Sequence, residues 1–355
     1  MTTLTVTDPT VIVAAEGERF ALRRKGETTQ RLRAQRIDSI FLIGQVAITP
    51  AALSMALERG IDVVLLSKAG RYRGRLLGPT SRTGTQRAAQ AGFVVDDTRA
   101  LEVARAIVLG KVRNQRNVLL RAQQYRKAPR LAEALLRLRS IQRRIDSADA
   151  TARLMGYEGD AAAIYFGAFG QTILNPDFSF TKRTRRPPRD PVNSCLSFGY
   201  VLLLSRLESA IHRAGLDVAL GVLHQPAVAR PALALDLLEE FRAPVVDTVV
   251  LRLVNRRQLR PTDFENPRDD LTEELLAGGE PPEPSEDGEA GPAVHLNETG
   301  RRILLRALGK RLGERAVDPT SGDRRTFRDL LLLQCYQMSR VFTGEAEKYR
   351  PVVVR

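Results

Sequence analysis

Short runs of alternating apolar and polar residues fill the first 80 positions. They are "LTVT" at 4–7, "TVIVAA" at 10–15, "RFALRR" at 19–24, "TQRLRA" at 29–34, "SIFLIG" at 39–44 and "DVVLLS" at 62–67, separated by Gly, Asp or Thr. A period of two over four to six residues between turn formers predicts strands. One helix interrupts them. Thr49 is placed to cap it, Pro50 takes the first helical position, where its missing N–H costs nothing, and "AALSMALERG" ends at Gly60.

After "GPTSRTGTQRAAQ" at 78–90 the period lengthens. From Thr98 onward Leu101, Ala104, Ile107, Val108, Val112, Leu119 and Leu120 share one broad face at helical spacing. The same spacing continues through "LAEALLRLRSIQRRI", "GDAAAIYFGAFG", "CLSFGYVLLLSRLESAIHRAG", "ALALDLLEEF", "TGRRILLRALGKRLGER" and "FRDLLLLQCYQMSRVFTG". The expected fold is therefore α+β and multidomain: a small β-rich amino-terminal domain over 1–85, a linker over 86–97 and a larger all-α domain over 98–355. Two stretches break the helical part. "TKRTRRPPRDP" at 181–191 reads as a loop, because proline has no N–H to give a helix interior. "GGEPPEPSEDGEAGP" at 278–292 has the Pro, Gly and acidic bias of a disordered insert, read here as a solvated linker.

Composition changes this picture through charge. The 355 residues carry a formal net charge of +14, yet 272–290 holds seven acidic residues and no basic one, so the rest of the chain stands at +21. A field of that sign attracts polyanions, and nucleic acid is the commonest large one in a cytoplasm. Two cysteines, Cys195 and Cys335, sit in apolar segments as core filling and make neither a disulfide framework nor a zinc knuckle, which fits a reducing cytoplasm. The chain starts like a strand rather than a signal peptide, and no apolar run reads as long enough to span a bilayer, so no membrane is expected.

Candidate chemistry gathers around "GVLHQPAVARPALALDLLEEF" at 221–241. With a helix starting near Pro231, Leu233, Ala234, Leu237, Leu238 and Phe241 fill one arc, and Asp236 and Glu239 fall on the other side, three residues apart and close enough to share a ligand. Glu240 borders the apolar arc. His224 lies in the preceding loop, placed to fold over the carboxylates; an imidazole with carboxylate oxygens suits Mn²⁺ or Mg²⁺ better than a sulfur-rich zinc site does. Equally, acids on a helix face are routine and a lone loop histidine is commonly a hydrogen-bonding group. A third ligand would come from Glu158 in "MGYEGDAAAIYFGAFG", which otherwise reads as an acid favouring a helix amino terminus. His212 reads as a helix-end cation, and neither it nor His295 has carboxylates at ligand spacing. Lys182, Arg183, Arg185, Arg186 and Arg189 place five cations in the loop at 181–191, enough to neutralise several phosphates. Arg230, just before the acidic helix, joins them as a candidate DNA contact.

Three segments in order, "GYEGDAAAIYF", "RPPRDPVNSCLSFGYVLLLSRLESAIHRAGLD" and "GVLHQPAVARPALALDLLEEFRAPVVD", resemble the universal CRISPR-associated (Cas) spacer-acquisition integrase/endonuclease family. "AIVLGKVRNQRNVLLR" resembles the helix that begins that family's catalytic domain, and the β-rich start resembles its amino-terminal domain. The resemblance implies that Glu158, His224 and Glu239 are the catalytic metal ligands for Mg²⁺ or Mn²⁺, with Asp236 supporting beside the metal. Asn193 of the "NxxLSFGY" motif then holds a scaffold or substrate role. The implied activity is that of a metal-dependent DNA endonuclease and integrase, in which a prespacer 3′-hydroxyl attacks the CRISPR repeat backbone. The implied partners are double-stranded and branched DNA, a second copy of the chain paired through the β-rich domain, and a small ferredoxin-like Cas adaptation partner. This chain reads Ala229-Arg230-Pro231-Ala232 where the family often has Gly-Arg-Pro-Ser, so a hydroxyl that could cap the helix or touch DNA is absent. A non-enzymatic DNA-binding or architectural protein, and a stand-alone repair nuclease for branched DNA, are the other classes the residues allow.

Overall fold

The computed structural model describes residues 3–68, 70–78, 84–185, 187–224, 230–266 and 293–354. The acidic insert at 278–292 and Arg186 therefore lie outside the described residues. All six predicted strands form, and two short ones join them. β1 (Thr3–Val6), β5 (Ser39–Ile43), β7 (Asp62–Leu66) and β8 (Tyr72–Leu76) make one sheet in that order, with β1, β5 and β7 parallel and β8 antiparallel. β4 (Glu27–Arg33), β3 (Arg19–Arg24), β2 (Val11–Glu16) and β6 (Ala47–Ile48) make the second. Between the sheets lies α1 (Pro50–Glu58), capped as expected by the Thr49 hydroxyl accepting from Ala52 N at 3.3 Å.

The strand β5 explains how this part joins the rest. Its five residues are all buried, as an unbroken apolar run demands of a strand covered on both faces. Ile40 and Leu42 turn into a small core with Val13, Phe20, Ala52, Ala56 and Val63. Phe41 and Ile43, with Val64 and Leu66 of β7, turn the other way into the large helical core. The first sheet thus serves two cores at once.

That large core is built by α2 (Gly84–Val94), α3 (Asp97–Arg126), α4 (Pro129–Asp146), α5 (Thr151–Phe169), α6 (Pro191–Arg213), α7 (Ala232–Phe241), α8 (Thr248–Asn255) and the helices Glu298–Gly313 and Phe327–Phe342. The stretch 86–97, expected as a linker, is mostly helix α2. The all-α expectation holds apart from two ribbons, β9 (Phe264–Glu265) with β10 (His295–Leu296) and β11 (Arg315–Val317) with β12 (Arg324–Thr326). Pro191 does not end the arginine loop but opens α6, at the first helical position, with Asp190 capping Asn193 N at 2.8 Å.

By length and composition α6 could cross a membrane, against the expectation that no apolar run is long enough. Its apolar window is 67% buried inside the protein, so that apolarity is spent on core packing. The face of α6 turned toward the first sheet is polar. There Arg75 of β8 pairs with Glu208 at 3.0 Å and donates to Ser205 O at 2.7 Å, and Ser209 donates to Asp62. At the end of α6, His212 is not the cation the sequence suggested. Burial, with Arg75 and Arg87 nearby, lowers its pKa to about 4. Between pH 4 and its ordinary 6.5 the folded protein holds fewer protons than the unfolded chain, so stability rises with pH across that window. His212→Gln should flatten that part of a urea-denaturation profile measured against pH; an unchanged slope would place the titration elsewhere.

Candidate active site

Helix α7 is buried on nearly every side, which the sequence did not anticipate. Among its ten residues only Leu235 escapes burial, and Asp236, Glu239 and Glu240 are 0%, 3% and 0% exposed. Buried carboxylates must be paired or hydrogen-bonded, and each of the three has its own partners.

Asp236 turns back over the preceding loop. Its carboxylate accepts from the backbone N–H groups of Val222 (2.6 Å), Leu223 (3.0 Å) and His224 (2.9 Å), and from His224 Nδ1 at 2.7 Å. With Nδ1 turned to this carboxylate, Nε2 faces away from Asp236. The glycine of "GVLH" follows from the same contact: a Cβ on Gly221 would stand 2.7 Å from Asp236 Oδ2 and 2.8 Å from the Ala232 backbone. The carboxylate pair expected of Asp236 and Glu239 does not share a partner; Asp236 instead fixes the loop and the histidine.

Glu239 points to two cations. Arg242 Nη1 lies 3.0 Å from Oε1, and Lys111 Nζ of α3 lies 2.5 Å from Oε2. The same ammonium pairs with Glu158 of α5. Burial would raise the Glu239 pKa, but Arg242 and Lys111, with His224 nearby, outweigh it and hold the group ionised. Each oxygen of Glu239 therefore faces its own cation, Oε1 facing Arg242 and Oε2 facing Lys111. Glu158 does not open its helix, as the sequence suggested; α5 begins at Thr151, and Glu158 sits inside it with a side chain 25% exposed. Glu158 and Glu239 thus meet across one ammonium. Among the described residues, no three His, Cys, Asp or Glu side chains converge closely enough to hold a metal as they stand.

Glu240 takes a structural part. Tyr349 OH, Val352 N and Gln334 Nε2 donate to it, tying the carboxyl-terminal segment to α7, while burial pushes its pKa up to about 7. Pro244, four residues on, cannot take up the carbonyl of Glu240. The chain widens there into a π-helical turn, Arg242–Asp247, and Asn114 Nδ2 of α3 captures that carbonyl at 2.8 Å. This bond fixes α3 against α7, one turn from Lys111.

The arginine loop is less exposed than its charge implied. Arg183 is wedged inward, donating to Asn193 Oδ1 (2.8 Å) and Ser197 Oγ (3.0 Å), with its guanidinium over the Tyr200 ring. Arg242 lies over the same ring. Tyr200 and Tyr165 both donate to buried Asp247, at 2.6 and 2.7 Å. Asn193 is fully buried, and its amide holds the loop through Lys182 O and Thr184 N. Lys182 and Arg185 are exposed, and Arg189 and Arg230 are half-buried. A second basic surface went unnoticed in the sequence: a groove of about 720 Å³ lined by Arg252, Arg256, Arg257, Arg260, Arg306 and Lys310, on α8, the segment after it and the helix Glu298–Gly313.

Lys111 and Arg242 were also missed. The signal for Lys111 was present, since it lies three and four residues from Val108 and Ile107 on the apolar face of α3. A lone lysine there needs a buried acid.

A family model described as CRISPR associated protein Cas1 matches residues 4–275. CRISPR-associated endonuclease Cas1 2 of Rhodospirillum rubrum is 35% identical over 363 aligned positions, covering 99% of this chain and 98% of that protein. Among solved structures, a chain of a Cas6-RT-Cas1–Cas2 complex superposes with a TM-score of 0.79 at 25% identity, over 100% of this chain and 36% of the longer one. A casposase bound to integration product superposes at 0.80 with 22% identity, over 99% of this chain and 93% of that one, a likeness of fold. Whole-length identity of more than a third, on the same strand-rich and helical architecture, means that this chain belongs to the Cas1 family of CRISPR-associated proteins.

Proposed function

We propose that the chain is a metal-dependent DNA endonuclease and integrase of CRISPR adaptation, joining prespacer 3′-hydroxyl ends to the repeat by transesterification. The carrying observation is the meeting of Glu158 and Glu239 at one buried ammonium, with the His224 ring held close by through Asp236. Two carboxylates and an imidazole suit Mg²⁺ or Mn²⁺, and Glu158, His224 and Glu239 would hold it. Such an ion supplies Lewis-acid stabilisation of the scissile phosphate and the departing oxygen. Asp236 keeps the His224 ring and its loop in place. The reaction forms a bond from the incoming 3′-oxygen to phosphorus and breaks the bond from phosphorus to the old 3′-oxygen, which leaves as a hydroxyl after taking a proton. No covalent protein nucleophile is needed, and the two cysteines, buried and pushed up in pKa by that burial, take no part.

DNA would lie across the exposed cations Lys182 and Arg185 and along the basic groove. A homodimer through the strand-rich domain is supported by the edge strand β8, where Tyr72, Leu76 and Leu77 leave apolar surface in solvent. A small ferredoxin-like Cas partner, such as the Cas2 named with the solved relative, completes the assembly, which we place in the cytoplasm. Incubating the protein and that partner with a 3′-hydroxyl duplex and a plasmid carrying the repeat should give joined product with Mn²⁺ or Mg²⁺ and none with chelator. Repeat-independent nicking without joining would favour a repair nuclease, and DNA binding without either would favour an architectural protein.

The groove has its own test. Alanine at Arg256, Arg257 and Arg306 should lower the slope of log affinity against log salt by about 0.9 for each phosphate no longer neutralised. Arg185→Ala should act likewise without lowering the thermal midpoint. Arg183→Ala, which the sequence alone would treat the same way, should lower that midpoint because it removes the side chain holding the loop to α6. A salt slope untouched by the groove variants would remove the groove from the DNA path.

A further inference from the structure

We propose that Lys111 is a built-in counter-cation that holds the Glu158–Glu239 pair together when no divalent ion is bound and must swing aside for the ion to enter. This rests on the metal-site reading above. The Lys111 side chain is 5% exposed, and its ammonium pairs with both acids. One ammonium thus bridges the two acids, 2.5 Å from Glu239 Oε2 and in direct contact with Glu158 Oε1. With Arg242 on the other oxygen of Glu239, two cations balance two carboxylates. A divalent ion added to that balanced group, with Lys111 in place, would sit beside an ammonium in a poorly screened interior, where repulsion is strong.

Lys111 is the cation able to leave. Arg242 is held by Glu239 Oε1 and lies over the Tyr200 ring. The backbone under Lys111 is fixed: Asn114 binds Glu240 O and Val352 O at 2.8 Å each, and a Cβ on Gly110 would stand 2.6 Å from Pro351. With that backbone held, the rotatable bonds of the Lys111 side chain are what would carry the ammonium aside. Lysine and ion then compete for the same oxygens, and by linkage each weakens the other's hold equally.

The test is Mn²⁺ binding by the full-length chain, read from the electron paramagnetic resonance signal of the free ion. Lys111→Met should bind Mn²⁺ about tenfold more tightly than wild type, and Lys111→Arg no more tightly. Without the ion the neutral variant should melt lower than wild type, and it should gain more in midpoint when Mn²⁺ is added. Should Lys111→Met fold poorly, Lys111→Gln, neutral but able to hydrogen-bond one acid, carries the same comparison. His224→Ala separates the two ideas. If it weakens Mn²⁺ binding while neither neutral variant tightens it, the lysine proposal is overturned and the metal site stands. If no variant, nor wild type, binds Mn²⁺ in a His224-dependent way, both fall.

Discussion

Glu239→Ala should lower strand joining and nicking by about 100- to 1,000-fold or more, the effect that follows removal of a single charge-stabilising group in an active site. Glu239 is the most enclosed of the three proposed ligands, and both of its oxygens face cations. Alanine strands Lys111 and Arg242 as well, so the isosteric Glu239→Gln is the sharper variant, and thermal midpoints should accompany both. His224→Ala should produce a comparable fall in activity while leaving metal-free DNA affinity nearly unchanged, because a metal-bound imidazole is neutral and neutralises no phosphate. Asp236 acts through His224 and the loop backbone. Asp236→Asn should weaken Mn²⁺ binding by about 10- to 100-fold, a positioning effect visible in metal affinity before any turnover is measured. Wild-type joining by His224→Ala, alongside failure of joining in the groove variants, would replace the metal-site reading with an architectural one.

Arg75→Ala should cost about 3–5 kcal/mol of stability at neutral pH, because it leaves Glu208 and Asp62 buried without their cation. The side chains of Arg75, Glu208 and Asp62 are 4%, 9% and 6% exposed, so water cannot take the place of the guanidinium. A fall of roughly 10 °C in melting temperature is the expected readout. Burial already raises the pKa of both acids. In the variant they can shed the penalty by taking up protons, so the deficit should shrink as pH falls. A variant that melts within a degree or two of wild type, at about any pH between 5 and 8, would show that this cluster contributes little to joining the strand-rich part to α6.

Both variants bear on features that differ in how openly the sequence displays them. The strands and helices were legible because each carries its period locally: "SIFLIG" announces a strand covered on both faces, and Thr49-Pro50 announces a helix start. His224, Asp236 and Glu239 were visible through their spacing. Their division of labour was not, since the sequence paired Asp236 with Glu239 on an open face and the structure gives them to different neighbours. Arg183 and His212 misled for one reason. A charged residue type is assigned to solvent unless its burial is known, and burial is set by elements far along the chain.

The sequence by itself determined the α+β architecture and the basic character of the chain, and it singled out Glu158, His224 and Glu239 as candidates, because periodicity, composition and motif spacing are written in neighbouring residues. Only the tertiary structure decided that Lys111 stands between Glu158 and Glu239, that Asp236 holds the His224 ring and its loop, and that six cations from α8 onward line one groove. Lys111 and Glu158 are 47 positions apart, and Asn114, which sets α3 against α7, is 126 positions from the carbonyl it holds. Pairings of that separation come from packing helices against one another around a shared core, and no local period encodes them.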